Sequence, residues 1–293
     1  MRARATWREY LELCKPKVVA LISFTALVGM FMATNPPAMV PWDILVFGNL
    51  GIFLAASAAA AINHVVDKRI DSQMKRTHER PVAAGAVSPG NALLFALFLT
   101  VVSMLILVLL VNPLTAVLTF VALIGYAVVY TMYLKRATPQ NIVIGGAAGA
   151  APPILGWAAV TAGTDPQFTN SFWLFLLIFV WTPPHFWALA IYRREEYSKA
   201  NVPMLPVTHG VAFTRLHVLL YTILLVLISL MPFLTGMSGK FYLSGALLLG
   251  AGFMYYAIRL NLSKDDRLAI RTFVYSIYYL IGMFAALLID HYL

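Results

Sequence analysis

Charge is what this sequence has least of. Only 11% of its 293 residues are Asp, Glu, Lys or Arg, against about 25% in a typical soluble domain. So few charges cannot clothe a water-facing surface, which excludes an ordinary soluble enzyme or binding module. Cysteine is nearly absent: the lone Cys14 excludes an intramolecular disulfide and any cysteine-based metal cluster. Long polar segments are missing as well. From Val18 onward, apolar stretches of about 20 residues recur with short polar breaks. No segment between them could form a separate soluble core. What is present is 61% hydrophobic residues, a membrane composition. The first apolar stretch follows a basic amphipathic leader, residues 1–17, without a convincing small-residue cleavage site. A retained cytoplasmic leader and one transmembrane domain over residues 18–293 are therefore expected.

The apolar runs predict spans at Val18–Thr34, Trp42–Val66, Asn91–Val111, Leu114–Leu134, Ile142–Thr161, Ser171–Tyr192, Leu216–Leu234, Phe241–Leu260 and Thr272–Asp290. Lipid offers open backbone no partner, and no alternating ten-residue pattern suggests a barrel, so the expectation is an all-α polytopic bundle of nine helices. Assigning the breaks alternately to two sides collects 20 of the 21 Lys and Arg residues on one of them, among them Arg2, Arg4 and Lys264. Lys240 alone falls on the other. Basic residues mark the cytoplasmic side, which puts the N-terminus in the cytoplasm and the C-terminus outside it. This rule explains most of the basic residues, and no nucleic-acid partner is expected.

It does not explain the acids. Asn63, Asp67 and Asp71 recur at i, i+4 and i+8 where the second span ends. Each step advances roughly 40° around a helix and about 6 Å along it, so the three share one face. Lys68 and Arg69 point away from it. Like charges on successive turns repel unless a cation is present. Mg2+ meets that need with oxygen ligands from one or two carboxylates, waters and substrate phosphate. On spacing alone, a solvated helix end with Asp67 and Asp71 paired to Lys68, Lys75 or Arg69 is equally consistent. The following Lys75, Arg76, His78 and Arg80 favour the site, because they offer charge-assisted donors to phosphate oxygens. Two further polar groups lie on the same side. One closes the sixth span, where Tyr192 and Glu196 are a turn apart and His185 lies deeper. An ionisable group inside a span is a functional candidate. A structural alternative is a bundle-facing histidine bonded to a carbonyl freed by Pro183 and Pro184. The other group runs from Tyr126 to Asn141, where Lys135 and Arg136 are assigned to phosphate. The glycines after it, Gly145 to Gly149, are assigned to helix packing, since no strand precedes them and phosphate-loop spacing is lacking.

Together these residues resemble the membrane-bound prenyltransferases of the ubiquinone-biosynthesis superfamily. Asn63-x-x-x-Asp67-x-x-x-Asp71 matches the family's first aspartate-rich motif. The second motif, normally further aspartates, is here Tyr192-x-x-x-Glu196. With Met74-Lys75-Arg76-Thr77, Leu134 to Ile142, Pro183-Pro184-His185-Phe186-Trp187 and Val202-Pro203-Met204-Leu205-Pro206, the chain is similar to the heme-farnesylating subgroup, the heme O synthases. The resemblance implies farnesyl transfer from farnesyl diphosphate to the C2 vinyl of heme B with water addition, at the cytoplasmic face of a bacterial inner membrane. It implies a Mg2+ cofactor on Asn63, Asp67 and Asp71, with Glu196 as partner ligand. Phosphate donors would be Lys75, Arg76, Arg80, Lys135, Arg136 or Arg194. Asp67, Asp71, His185 and Tyr192 would be catalytic. Tyr126, Tyr130, Tyr133, Phe186, Trp187 and Tyr192 could shield an allylic cation, and His64, His185, Trp187 and Tyr130 could contact heme. The product would pass to a heme A synthase or to terminal oxidase assembly in the same bilayer. Competing readings are a same-fold prenyltransferase acting on a quinone precursor, an anion transporter and an assembly subunit. A transporter needs ionisable groups along a path through the spans, which hold almost none.

Overall fold

The structure is a computed structural model that describes residues 5–263 and 265–293. Arg2, Arg4 and Lys264, counted above among the basic residues, lie outside the described residues. Every regular element among the described residues is helical. A short helix α1 (Trp7–Leu13) precedes α2 (Pro16–Met32), bent from it by 52°. Next come α3 (Trp42–Val66), its one-turn extension α4 (Lys68–Asp71), α5 (Pro89–Leu110) and α6 (Pro113–Ile124). The α6 rod continues as a π-helix, Gly125–Leu134, and a last turn α7 (Lys135–Ala137). Then follow α8 (Asn141–Ala150), α9 (Pro152–Thr161), α10 (Ser171–Tyr192), α11 (Arg194–Lys199) and α12 (Leu205–Thr208). The chain ends with α13 (Val211–Leu234), α14 (Lys240–Leu262) and α15 (Arg267–Tyr292). Among the described residues, eight helical stretches are long and apolar enough to cross a membrane, or nine if the bent pair α1–α2 is counted as one span.

Local chemistry explains where the helices begin. Ser88 accepts from the Asn91 amide at 3.2 Å and Asn112 from the Thr115 amide at 2.9 Å, each just ahead of a proline that needs no amide partner in the first turn. These prolines extend α5 and α6 upstream of the predicted starts at Asn91 and Leu114. The predicted span Ile142–Thr161 is two helices, because Pro152 and Pro153 cannot donate back across the Ala151 junction.

The helices close on themselves: α2 packs on α3 and α9, α3 on α5, α8 on α10, α10 on α13, α13 on α14, and α15 returns to both α10 and α2. Large apolar side chains such as Leu94, Leu97, Phe98, Val101 and Leu105 recur at helical spacing on the outside of α5, as expected of a lipid-facing stripe. Inside, small residues bring backbones together. A side chain at Gly29 would meet the Pro153 carbonyl, and one at Gly156 the Ala26 carbonyl, so α2 and α9 touch backbone to backbone. The glycines assigned to packing behave differently from one another: Gly145 makes room for the Tyr130 ring, Gly146 faces Thr182, and Gly149 borders open space. At the end carrying most of the basic residues, one apolar cluster joins Ile70 and Met74 of the α4 region to Trp187, Tyr197, Val202 and Met204. This cluster holds the end of α10 and its following loop beside α4.

Gly156→Ala is expected to lower thermal stability in detergent by about 1–3 kcal/mol, since the added methyl must displace backbone. Gly149→Ala should be neutral or slightly stabilising; thermal unfolding of both purified variants checks the contrast.

Candidate active site

The acid face forms because the helical hydrogen-bond pattern carries on past the end of α3. The Asp67 amide donates to the Asn63 carbonyl at 2.9 Å and the Asp71 amide to the Asp67 carbonyl at 2.8 Å. Asn63, Asp67 and Asp71 therefore stay aligned, and all three are buried. Each acid is held by a cation from a distant segment. Lys135, at the end of the π-helix, donates to Asp67 Oδ2 at 2.5 Å. One nitrogen of Arg80 reaches both oxygens of Asp71, at 2.8 and 2.9 Å. Lys15, from the bend between α1 and α2, donates to Asn63 Oδ1. Asn63 Nδ2 in turn donates to Asp67 Oδ2 at 2.8 Å and to Thr131 Oγ1 at 3.4 Å.

Two carboxylates are thus surrounded by three cations, and the crowding shows on Lys15. Burial, then the charges of Arg80 and Lys135, hold its ammonium well below the usual lysine range, at about 7, against the opposing pull of Asp67 and Asp71. Lys15 also sits at φ 49°, a left-handed conformation that a residue with a side chain rarely adopts. Not every polar atom is satisfied. Asp67 Oδ1 and both ring nitrogens of His64 are buried with no hydrogen-bond partner among the described residues. Buried polar atoms of this kind call for a partner such as water, an ion or a ligand.

The aromatic wall comes from the π-helix. Its wider turn places Tyr126 and Tyr130 with ring centroids 5.5 Å apart, and Thr131 Oγ1 donates back to the Tyr126 carbonyl at 2.8 Å. Both tyrosines lie within electrostatic reach of Asp67. Stretches of π-helix are uncommon and recur at functional sites. Tyr197, from α11, is buried beside Arg76, Arg193, Glu196 and Arg80, and burial pushes its phenol up from the ordinary range.

A buried pair of acids is thus set against cations and tyrosines at one end of a closed helical ring. Residues 22–288 match the UbiA prenyltransferase family. The chain belongs to that family. A protein of Methylococcus capsulatus named protoheme IX farnesyltransferase is 59% identical over 288 residues, which is 98% of this chain and 95% of the relative. Another of that name from Stutzerimonas stutzeri is 60% identical over 291 residues, 99% of this chain and 96% of the relative. Solved structures share the fold at lower identity. One, from work on digeranylgeranylglyceryl phosphate synthase in membranes, has a TM-score of 0.80 at 18% identity, covering 97% of this chain and 98% of that one. A UbiA homolog from Archaeoglobus fulgidus bound to DMAPP and Mg2+ has a TM-score of 0.63 at 16% identity, covering 95% of this chain and 99% of that one.

Within this UbiA fold, the residues singled out in the sequence are sorted by their contacts. Asn63, Asp67, Asp71, Arg80, Lys135, Tyr130 and His64 gather in or beside the acid cluster. Lys75, Arg76 and Arg194 are exposed and carry no side-chain hydrogen bond. Arg136 donates to the Val66 carbonyl at 2.9 Å, binding the end of α3 instead of reaching the acids. Glu196 pairs with Arg193 at 2.7 Å, because the two face each other one turn apart on α11. No group of three or more His, Cys, Asp or Glu side chains converges as a metal site among the described residues, so Glu196 does not join Asp67 and Asp71. The Tyr192 side chain is half exposed and has no hydrogen-bond partner among the described residues. Trp187 is fully buried against Tyr221 and His217 in the apolar cluster, away from the acids, and its indole nitrogen has no hydrogen-bond partner among the described residues. His185 is sandwiched between Trp181 and Phe273, at 4.1 and 4.5 Å, with Nδ1 2.6 Å from Ser276 Oγ. Its partner is that hydroxyl, where a freed proline-region carbonyl was the structural expectation.

Two site residues escaped sequence reasoning. Lys15 was counted only as a leader charge; its signal is a lysine directly before the proline that opens the first span. Tyr197 lies beyond the predicted span, and only the Ile70–Met204 cluster brings it inward.

Lys135→Met should destabilise the protein by about 3 kcal/mol, the scale for leaving a buried charge unpaired. Adding Asp67→Asn should recover most of that loss, and thermal unfolding of the two single variants and the double variant in detergent measures the coupling.

Proposed function

We propose that this protein transfers the farnesyl group of farnesyl diphosphate to the C2 vinyl of heme B, with addition of water, releasing diphosphate and heme O. The observation that carries the donor half is the buried cluster in which Lys135, Arg80 and Lys15 converge on Asp67, Asp71 and Asn63. The acceptor half is supported by the relatives named protoheme IX farnesyltransferase, 58–60% identical over nearly the full chain. The basic end then faces the cytoplasm of a bacterial inner membrane, and heme O passes to a heme A synthase or to oxidase assembly.

The residues present fit a divalent cation. Asp67 Oδ1 is buried and unpartnered, and Asn63 Oδ1 and Asp71 offer further oxygens whose present partners are Lys15 and Arg80. Mg2+ bound there would supply Lewis-acid neutralisation of the diphosphate. Arg80 and Lys135 would turn from Asp71 and Asp67, and Lys15 from the Asn63 carboxamide, to phosphate oxygens as the donor binds, so that the cluster exchanges internal contacts for pairs with the leaving group. The bond between the farnesyl C1 and the diphosphate oxygen breaks with its electron pair going to oxygen. The faces of Tyr126 and Tyr130 shelter the allylic cation from water. The terminal vinyl carbon then attacks C1, and water captures the cation left on the neighbouring carbon. The proton this water loses would be taken up by the released diphosphate or by solvent.

Membranes carrying the protein, supplied with farnesyl diphosphate, heme B and Mg2+, should form heme O; prenylation of 4-hydroxybenzoate with no heme O would overturn the acceptor assignment. Asp67→Asn or Asp71→Asn should lower turnover by about 10²–10³-fold, on the scale of removing transition-state charge stabilisation. Immunoblots of membrane fractions should show both variants inserted normally.

A further inference from the structure

The α3–α4 segment has two sides. Asp67 and Asp71 turn inward to Lys135 and Arg80, while Lys68 and Arg69 border a separate cleft of about 630 Å³. Three loops of the basic end build this cleft: the α4 turn, the last turn of the α6 rod with Arg136, and the connection from α11 to α12 with Asn201 and Val202. Its volume falls within the roughly 300–1,000 Å³ typical of small-molecule sites. Val65, Val66 and Val202 give it apolar walls, and no acid lines it. Among the described residues, none of Lys68, Arg69 and Arg136 has a carboxylate partner. Arg136 is anchored through one nitrogen to the Val66 carbonyl, which fixes its guanidinium at the cleft edge.

Membrane topology explains why basic residues collect at this end, but not why three of them meet around one cavity. Like charges brought together without acids repel, and a ligand with anionic groups on an apolar body relieves that repulsion. Heme B has that form, with two propionates at one edge of a flat apolar ring. Its carboxylates also need cations distinct from those that hold the diphosphate. Lys15, Arg80 and Lys135 are engaged on the inner side of the segment, whereas, among the described residues, Lys68, Arg69 and Arg136 hold no carboxylate on the outer side.

We propose that this cleft recruits the acceptor by its propionates, with Lys68, Arg69 and Arg136 as the carboxylate-binding residues. The inference rests on heme B being the acceptor. Donor and acceptor anions are then received on opposite sides of the same helix end and do not compete for the same cations. An anionic phospholipid carries the same combination of charge and apolar body, so the test separates the two.

The full-length protein, in nanodiscs of phosphatidylcholine alone, is titrated with heme B and with heme B dimethyl ester, following the Soret band. Wild type should bind the diacid about tenfold or more tightly than the diester, the scale of losing charge-assisted contacts. The double variant Lys68→Gln with Arg69→Gln should bind the two alike, and so should Arg136→Gln by itself. In turnover assays the KM for heme B should rise by the same factor, with the KM for farnesyl diphosphate unchanged. Equal binding of diacid and diester by a wild-type protein that still makes heme O would overturn the cleft assignment and leave farnesyl transfer intact. So would a diacid preference that survives the substitutions, or variants that keep it and lose only the anionic phospholipid that copurifies with the wild type from native membranes. A wild-type protein that forms no heme O would instead overturn the reading on which the inference rests.

Discussion

Two carboxylates buried at the end of a membrane helix are the constraint around which this molecule is arranged. A buried acid without a partner costs several kcal/mol, so each must meet a cation, and none of the cations it meets is local. Lys135 comes from the far end of the π-helical rod, Arg80 from the loop after α4, and Lys15 from the bend that starts the first span. Satisfying Asp67, Asp71 and Asn63 therefore pins three separate segments to one point. The left-handed Lys15 and the orphaned Asp67 Oδ1 show that the arrangement is not an optimum for the protein alone. Internal ion pairs that can be exchanged for a metal and a diphosphate give binding without leaving bare charges in the meantime.

The rest of the fold serves that point by contrast. Away from the basic end, helices meet through small residues and apolar side chains, as at Gly29 and Gly156, and lipid-facing stripes such as that of α5 carry nothing polar. Chemistry is confined to one end because charges elsewhere in the bilayer would be costly. The π-helix is the exception inside a span, and it is the element that turns Tyr126, Tyr130 and Thr131 toward the acids.

Much of this was legible in the sequence because it depends on period and composition. Apolar run length gave the spans, and i, i+4, i+8 spacing gave the shared face of Asn63, Asp67 and Asp71. Arg80 and Lys135 were named as cations of the site, but their pairing with Asp71 and Asp67 depends on long-range contacts that spacing does not encode. The same limit explains the residues that moved. Glu196 and Tyr192 matched a motif position by register, yet Arg193 holds the glutamate and the tyrosine stays half exposed. Trp187 lies in the Pro183–Trp187 string that carried the resemblance but packs into the core, and Arg136 closes a helix end. Helix breaks were the other blind spot: Pro152 divides one apolar run into two helices without changing its hydropathy.

The central claim is that the cluster of Asn63, Asp67 and Asp71, with its three cations, receives a metal-bound prenyl diphosphate. Isothermal titration of the purified full-length protein with a non-reacting farnesyl thiodiphosphate, with and without Mg2+, tests it most directly. Binding should require Mg2+ and should disappear in Asp67→Asn while the variant keeps its fold by thermal unfolding. Binding of equal strength without Mg2+, or unchanged in a folded Asp67→Asn, would contradict it.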